Sequence, residues 1–193
     1  LRHQNVNDQV IEALQAIPSE KLVIMDNLIP ELGEDVASIY QDFKGDIYKA
    51  LKEGIARLKK YEKLVLVYPE KVHYPYPSEI KCGFQKFCIN HNFDFEIIPT
   101  IYPEMELETN DAYITIEEND LVCLIKQIRD QKFQMGEDIG VISYNDTPLK
   151  ELLGITVMST NFKVMGETAA YMIKKHKHEV VKNVFNFIDR GSI

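Results

Sequence analysis

Strand-like and helix-like segments alternate along most of this sequence, and this alternation constrains the fold more than any other feature. The apolar runs Lys21–Asp26 (KLVIMD), Lys63–Tyr68 (KLVLVY) and Ile139–Tyr144 are typical of buried strands. Between them, apolar residues recur every three to four positions, as in Asp42–Tyr61 and Glu118–Asp130, which predicts amphipathic helices. This order predicts an α/β fold with mainly parallel sheets and helices on both faces.

Two of the predicted helices have a candidate N-cap. Ser78 directly precedes a helix that carries the apolar residues Phe84, Phe87 and Cys88, and Asn161 precedes the helix that begins at Phe162. Serine and asparagine side chains accept hydrogen bonds from the first N–H groups of a helix, so both residues are predicted caps.

The charge balance argues against direct contact with nucleic acid. The chain has 22 basic and 30 acidic residues among 193, a formal net charge of −8. A surface of that sign repels phosphate backbones. The basic run Lys174–His178 falls at the predicted C-terminus of a helix, where cations complement exposed carbonyl groups; a phosphate-binding patch is the alternative. We therefore do not expect this chain itself to bind DNA or RNA.

Several functional classes lack their sequence signatures. The cysteines Cys82, Cys88 and Cys123 form neither CxxC pairs nor metal-ligand sets with histidine, so we expect reduced thiols and no metal site. No glycine-rich phosphate loop, GxSxG or HExxH motif occurs, so no cofactor and no catalytic residue is predicted. No apolar run could span a membrane. Without an initiator methionine or signal-peptide core, we expect a cytoplasmic protein whose beginning has been removed.

Polar and aromatic residues directly follow several predicted strands. Ligands of open parallel sheets bind beyond the carboxyl ends of the strands. Carboxylates and amides bond hydroxyl groups and aromatic rings cover ring carbons, so such residues suit a polyhydroxylated ligand. Turn formation, a charged helix N-terminus or surface packing would each explain them as well. The candidates are Asp26, the loop tyrosines Tyr74 and Tyr76, Glu117 with Glu118, and Asn145 with Asp146.

Three segments resemble the sensor domains of the LacI/GalR family. Gly136–Leu149 (GEDIGVISYNDTPL) is similar to the family's glycine–acid turn, followed by a buried strand that ends in tyrosine and paired Asp or Asn. Ile155–Ile173 (ITVMSTNFKVMGETAAYMI) looks like its crossover strand and following helix, and the terminal FIDRGSI like its closing strand. Upstream, KLVIMDN, KLVLVYP and the pair Gly83–Phe84 fall in the family's order, so the resemblance spans essentially the whole chain.

The resemblance implies a two-lobed fold of the periplasmic-binding-protein-like type I, with the ligand between the lobes. Residues 1–38 and 160–180 would form a partial N-terminal lobe, because the family's opening βαβα region is missing. Residues 39–159 and 181–193 would form the C-terminal lobe. The family also implies a homodimer that contacts DNA through a DNA-binding head absent from this chain. The sequences of these segments are similar to those of regulators that carry a GntR-type head.

The resemblance also assigns roles to single residues. Asp26 matches an acidic residue that binds the ligand in the family, and Asn145 matches the Asp that binds the hydroxyl groups of the ligand. Glu117 stands where the family usually has Asn, and Tyr102 lies near an aromatic residue that stacks on the sugar. The arginine expected three residues before the Gly–Phe pair is replaced by isoleucine. Either the neighbouring Lys81 takes its place or the ligand is held differently.

These observations together predict the ligand-sensing domain of a sugar-responsive transcription regulator. It would bind a small sugar or sugar phosphate and catalyse no reaction. Two alternatives stay open at this point. One is an exported sugar-binding protein of the same fold, and the other is an α/β enzyme that modifies a sugar with the carboxylates named above.

Overall fold

The computed structural model of this chain describes residues 8–70, 72–73 and 75–193. The strands are β1 (Val23–Asp26), β2 (Ala37–Tyr40), β3 (Lys63–Val67), β4 (Asp94–Ile98), β5 (Asp111–Thr115), β6 (Ile139–Tyr144), β7 (Thr156–Thr160), β8 (Val180–Lys182) and β9 (Phe185–Ile188). The helices are α1 (Asp8–Gln15), α2 (Phe43–Glu53), α3 (Ile55–Leu58), α4 (Glu79–His91), α5 (Glu118–Asp130), α6 (Pro148–Leu152) and α7 (Phe162–Lys175). Parallel strand pairs with intervening helices confirm the predicted α/β fold.

The chain divides into two compact units. The first ends at Asp42 and resumes over Thr160–Phe185, and the second comprises Phe43–Ser159 and Asn186–Ile193. The sequence had placed residues 39–42 and 181–185 in the other lobe. They belong to the first unit because β2 pairs with both β1 and β8 in one sheet. The identity of these units as lobes of a sugar-binding domain stays a prediction.

The first unit is built on a three-stranded parallel sheet in the order β1-β2-β8. Asn161 caps α7 as predicted, since its Oδ1 accepts a hydrogen bond of 3.0 Å from the backbone N–H of Val164. The helix ends in the basic run, with His176 in the left-handed conformation after it. One face of α7 packs on the sheet, and the buried core consists of Ala37, Ile39, Met165, Ala169 and Met172.

The second unit contains a six-stranded sheet in the order β4-β3-β5-β6-β7-β9. The pairs from β4 to β7 are all parallel, so the carboxyl ends of these strands meet at one edge of the sheet. Every residue of β5, β6 and β7 is buried, as expected for central strands covered on both faces. The sheet therefore places the residues that follow β3, β4, β5 and β6 on a common edge.

Two local predictions were wrong. The helix predicted over Asp42–Tyr61 is interrupted at Gly54, where an added Cβ would lie 2.6 Å from the ring of Phe187. Ser78 precedes α4 but does not cap it, because its backbone is already helical and its side chain donates to the Glu79 carboxylate at 3.3 Å. In the first case the Phe187 ring packs against Gly54, and in the second the backbone of Ser78 is already helical. Neither feature is visible in the neighbouring sequence.

Helix α4 packs closely against α2 at Gly83. A Cβ at this position would collide with the backbone carbonyl oxygen of Lys44. Glycine thus allows two helix backbones to approach each other more closely than any other residue would. The apolar face of α4 lies beneath this contact, where Phe84, Phe87 and Cys88 are fully buried as the sequence indicated.

Candidate functional site

A cavity of about 680 Å³ opens in the second unit at the carboxyl ends of β3, β4 and β5. This volume lies within the range of small-molecule sites, roughly 300–1,000 Å³. The position follows from the topology, since β4, β3 and β5 are neighbours in the sheet and the chain leaves all three at the same edge. The cavity is lined by Pro69, Glu70, Val72, Pro99, Thr100, Glu117, Asn119 and Asp120.

Glu117 lies at the wall of this cavity and is held by a tyrosine from another loop. The hydroxyl of Tyr76 donates a hydrogen bond to Oε1 of Glu117. Tyr76 is itself fixed by Tyr68, whose hydroxyl donates to the Tyr76 carbonyl at 2.6 Å. Their rings meet edge to face with centroids 6.5 Å apart. Although Glu117 stands at the N-cap position of α5, its side chain does not cap the helix.

Lys81 extends from the first turn of α4 toward the same tyrosine cluster. Its Nζ lies 4.5 Å from the centroid of the Tyr68 ring, a cation–π distance. The same Nζ is 3.7 Å from Oε1 of Glu70. The positive charge of Lys81 is therefore already matched by an aromatic face and a carboxylate.

Asp120 fixes the loop that follows β4. Its Oδ1 accepts hydrogen bonds from the hydroxyl of Thr100 at 2.7 Å and from the backbone N–H of Ile101 at 2.8 Å. The residue is only 6% exposed, so its carboxylate acts as a rigid part of the wall. Gln131 holds the same loop further along, through bonds to the backbone of Met105 and Leu107 at 2.8 and 3.1 Å. The β4 side of the cavity is thus pre-formed.

Asn145 directly follows β6 at the same sheet edge and has a left-handed conformation, with φ of 58°. Asparagine tolerates this conformation better than most residues. The turn is fixed from within, because the backbone N–H of Asn145 donates to Met158 at 2.8 Å. The buried Lys150 donates to the carbonyls of Tyr144 and Asn145 at 2.7 and 2.9 Å. These bonds present the exposed side chain of Asn145 beyond the strand.

Asp146, the neighbour of Asn145, forms an ion pair within the fold. Arg190 donates to both of its carboxylate oxygens, at 2.7 and 2.8 Å. These hydrogen bonds hold the pKa of Asp146 below its ordinary value. The backbone N–H of Asp146 also donates to Oγ of Ser159 at 2.9 Å. The Asn145 side chain is thus exposed to solvent, whereas Asp146 is only partly exposed and is bonded by Arg190.

In the first unit, Asp26 is the last residue of β1 and has a φ of 78°, an uncommon value for a residue other than glycine. The side-chain amide of Gln41 donates to Oδ1 of Asp26, and the Gln41 backbone N–H donates to the Asp26 carbonyl at 3.2 Å. The Oε1 of Gln41 in turn accepts from the hydroxyl of Thr160. Asp26 is therefore bonded to Gln41, which directly follows β2, and Gln41 in turn connects it to Thr160 at the end of β7.

The structure brings three of the seven predicted site residues together, namely Tyr76, Lys81 and Glu117, around Tyr68. Tyr102 is 58% exposed on the loop after β4, and Tyr74 lies outside the described residues. The ligand roles of all seven stay predictions. Tyr68 was not among the predicted site residues, although it is the last residue of a predicted strand.

Within residues 8–70, 72–73 and 75–193, no group of three or more His, Cys, Asp or Glu side chains could hold a metal ion. No helix in the same described ranges is both long and apolar enough to cross a bilayer.

Comparison with known proteins identifies the fold. No protein-family model and no curated protein matches the chain. Among solved structures, the Escherichia coli transcriptional repressor ascG has a TM-score of 0.73 at 12% identity, over 97% of this chain and 74% of that one. A LacI family transcriptional regulator from Lactobacillus casei with bound glucose has a TM-score of 0.71 at 15% identity, covering 96% and 74%.

A third solved structure carries a different sugar. The periplasmic binding protein/LacI transcriptional regulator from Alkaliphilus metalliredigens, complexed with D-xylulofuranose, has a TM-score of 0.63 at 13% identity, covering 88% of this chain and 69% of that one. This chain therefore has the α/β fold of LacI-type and periplasmic-binding-like domains, which confirms the fold that the sequence resemblance implied.

Proposed function

We propose that this chain is the ligand-sensing domain of a sugar-responsive transcription regulator and binds a small sugar or sugar phosphate. The observation that carries the proposal is the Tyr76–Glu117 pair beside a cavity of about 680 Å³ at the carboxyl ends of parallel strands. Such edges are where ligands bind in this class of sheet. Two structures with the same fold hold a sugar, which supports the assignment.

In this proposal each predicted site residue makes a different contribution to ligand binding. Glu117 accepts hydrogen bonds from ligand hydroxyls, while Tyr76 holds its carboxylate in place. Asn145 offers both a donor and an acceptor, and its turn is fixed by Lys150. Asp26 and Tyr102 keep the ligand-binding roles that the sequence predicts. The ligand shifts a conformational equilibrium of the regulator, and no bond is made or broken.

The proposal also covers the assembly and its partners. The protein is a cytoplasmic homodimer, and DNA is contacted by a separate head, consistent with the formal charge of −8 on this chain. Light scattering coupled to size exclusion tests the dimer directly. A mass that corresponds to one chain across the micromolar range would contradict it.

Thermal unfolding with a sugar panel tests the sensing function. The panel contains D-glucose, D-xylulose and L-fucose, followed by further aldoses and ketoses. A ligand at a hundred times its Kd should stabilise the fold by about 2.7 kcal/mol, which for a chain of this size raises Tm by roughly 5–10 °C. No shift with the panel or with small molecules from a cell extract would refute the proposal.

Variants locate the binding event. Tyr76→Phe and Glu117→Gln should each weaken sugar binding about tenfold. The first removes the hydroxyl that holds the Glu117 carboxylate, and the second replaces one carboxylate oxygen, a hydrogen-bond acceptor, by an amide donor. Glu53→Gln is the matched control, since it removes the same charge from an exposed position on α2. Equal sugar affinity in all three variants would exclude this cavity as the site.

A further inference from the structure

We infer that the cavity beside Glu117 selects an uncharged polyhydroxy ligand and excludes phosphorylated ones. The inference rests on the proposed function, because it narrows the class of sugar that the same site would take. It rests on the charges around the cavity and on the contacts that Lys81 makes with Tyr68 and Glu70.

The first observation is the charge of the wall. Of the eight described residues that line the cavity, three are acids, Glu70, Glu117 and Asp120, and the other five carry no charge. A sugar phosphate would bring about two negative charges next to these carboxylates. Repulsion between the phosphate and these carboxylates should weaken binding by roughly tenfold or more.

The second observation is that Lys81 is already engaged. Its Nζ lies over the Tyr68 ring at 4.5 Å and 3.7 Å from the Glu70 carboxylate. A phosphate group that recruited Lys81 would compete with both of these partners. Lys81 therefore compensates Glu70, and it does not supply the anion site that the family's arginine position suggested.

The third observation concerns the N-terminus of α5, which borders the cavity. Exposed N–H groups at such a terminus would ordinarily attract a phosphate. Here the terminus carries its own acids, with Glu117 before the helix and Glu118 and Asp120 in its first turn. These carboxylates offset the partial positive charge that an incoming anion would need.

The same wall is well suited to neutral sugars. The carboxylates of Glu70 and Glu117 accept hydrogen bonds from hydroxyls, and Asn119 both donates and accepts. Pro69, Pro99 and Val72 supply apolar surface for the carbon face of a ring. A hydroxyl-rich, uncharged ligand can satisfy these groups without bringing a charge of its own.

Matched pairs test the selectivity by calorimetry at constant ionic strength. D-glucose is compared with D-glucose 6-phosphate, and D-xylulose with D-xylulose 5-phosphate. We expect the neutral member of any binding pair to bind at least about tenfold more tightly. The inference is overturned if the phosphorylated member binds as tightly as, or more tightly than, its neutral partner.

Inorganic phosphate separates this inference from the proposed function. Wild-type protein should show no rise in Tm with phosphate beyond that of sodium chloride at equal ionic strength. Glu70→Gln releases Lys81 and should raise the affinity for phosphate about tenfold, whereas the control Glu53→Gln should not.

The two failures then look different. In one outcome no sugar binds, phosphate does not raise the Tm of the wild type, and Glu70→Gln binds phosphate. The proposed function then fails, but the exclusion of anions stands. If phosphate stabilises the wild type and Lys81→Met removes that effect, the cavity is an anion site. The inference is then wrong, whatever the sugars do.

Discussion

Replacing Asp146 by asparagine tests whether the pair with Arg190 holds the carboxyl end of β6 in place. The two side chains are 30% and 15% exposed and share two hydrogen bonds of 2.7 and 2.8 Å. An exposed ion pair contributes about 0–1 kcal/mol, and breaking a fully buried one costs about 3–5 kcal/mol. This pair lies between those limits, so Asp146→Asn should lower the free energy of unfolding by about 2 kcal/mol at pH 7.

The pH dependence gives a second, independent readout. Hydrogen bonds from Arg190 lower the pKa of Asp146 in the folded state, relative to the unfolded chain. The stabilisation is therefore complete above the unfolded carboxyl pKa of about 3.9, and it is lost as the pH falls through the lower, folded value. The difference between wild type and variant should be constant from pH 8 to 5 and should shrink below about pH 4.

Urea unfolding at pH 7.5, 5.0 and 3.5 measures both effects. Asp35→Asn, at an exposed position before β2, is the control for loss of one carboxylate. The reasoning is refuted if Asp146→Asn loses less than about 0.5 kcal/mol, the value typical of an exposed pair. If the difference in unfolding free energy between wild type and Asp146→Asn is the same at pH 3.5 as at pH 7.5, the stabilisation does not come from the charge of Asp146.

Three further predictions use the same unfolding and labelling assays. Lys150→Met should cost about 1–3 kcal/mol, because it leaves two strand-end carbonyls without their buried donor; a loss indistinguishable from zero would contradict this. Gly83→Ala should destabilise by at least about 2 kcal/mol through collision with the neighbouring helix, whereas Gly166→Ala, with open space around it, should stabilise by about 0.5–1 kcal/mol. Burial raises the pKa of Cys88 to about 12, so a thiol reagent at pH 8 should label exposed Cys82 rapidly and Cys88 only after unfolding; equal rates in native protein would show the buried assignment to be wrong.

Local sequence signals were sufficient for most of the framework. Strands and helices were predicted because hydrophobic periodicity is a short-range property, visible within one segment. The Asn161 cap was predicted for the same reason, since donor and acceptor are three residues apart. The strand β8 was missed, because three residues carry too little pattern to distinguish a strand from a connecting segment.

The candidate site was only partly accessible to the same reasoning. The rule that ligands bind at carboxyl strand ends directed attention to Glu117, Tyr76 and Asn145. The sequence could not show that Tyr76 bonds Glu117, because these residues are 41 positions apart and meet only through the path of the loop. The same holds for Asp146 and Arg190, which are 44 positions apart.

The sequence by itself determined that this chain forms parallel α/β units whose polar residues follow the strands, because both properties are encoded in neighbouring residues. Only the tertiary structure decided which partners those polar residues meet. Asp146 is bonded by Arg190, Lys81 lies 3.7 Å from the Glu70 carboxylate, and Glu117, bonded by Tyr76, lines an open cavity. Strand order and loop path bring distant charges together, and no local pattern specifies those contacts.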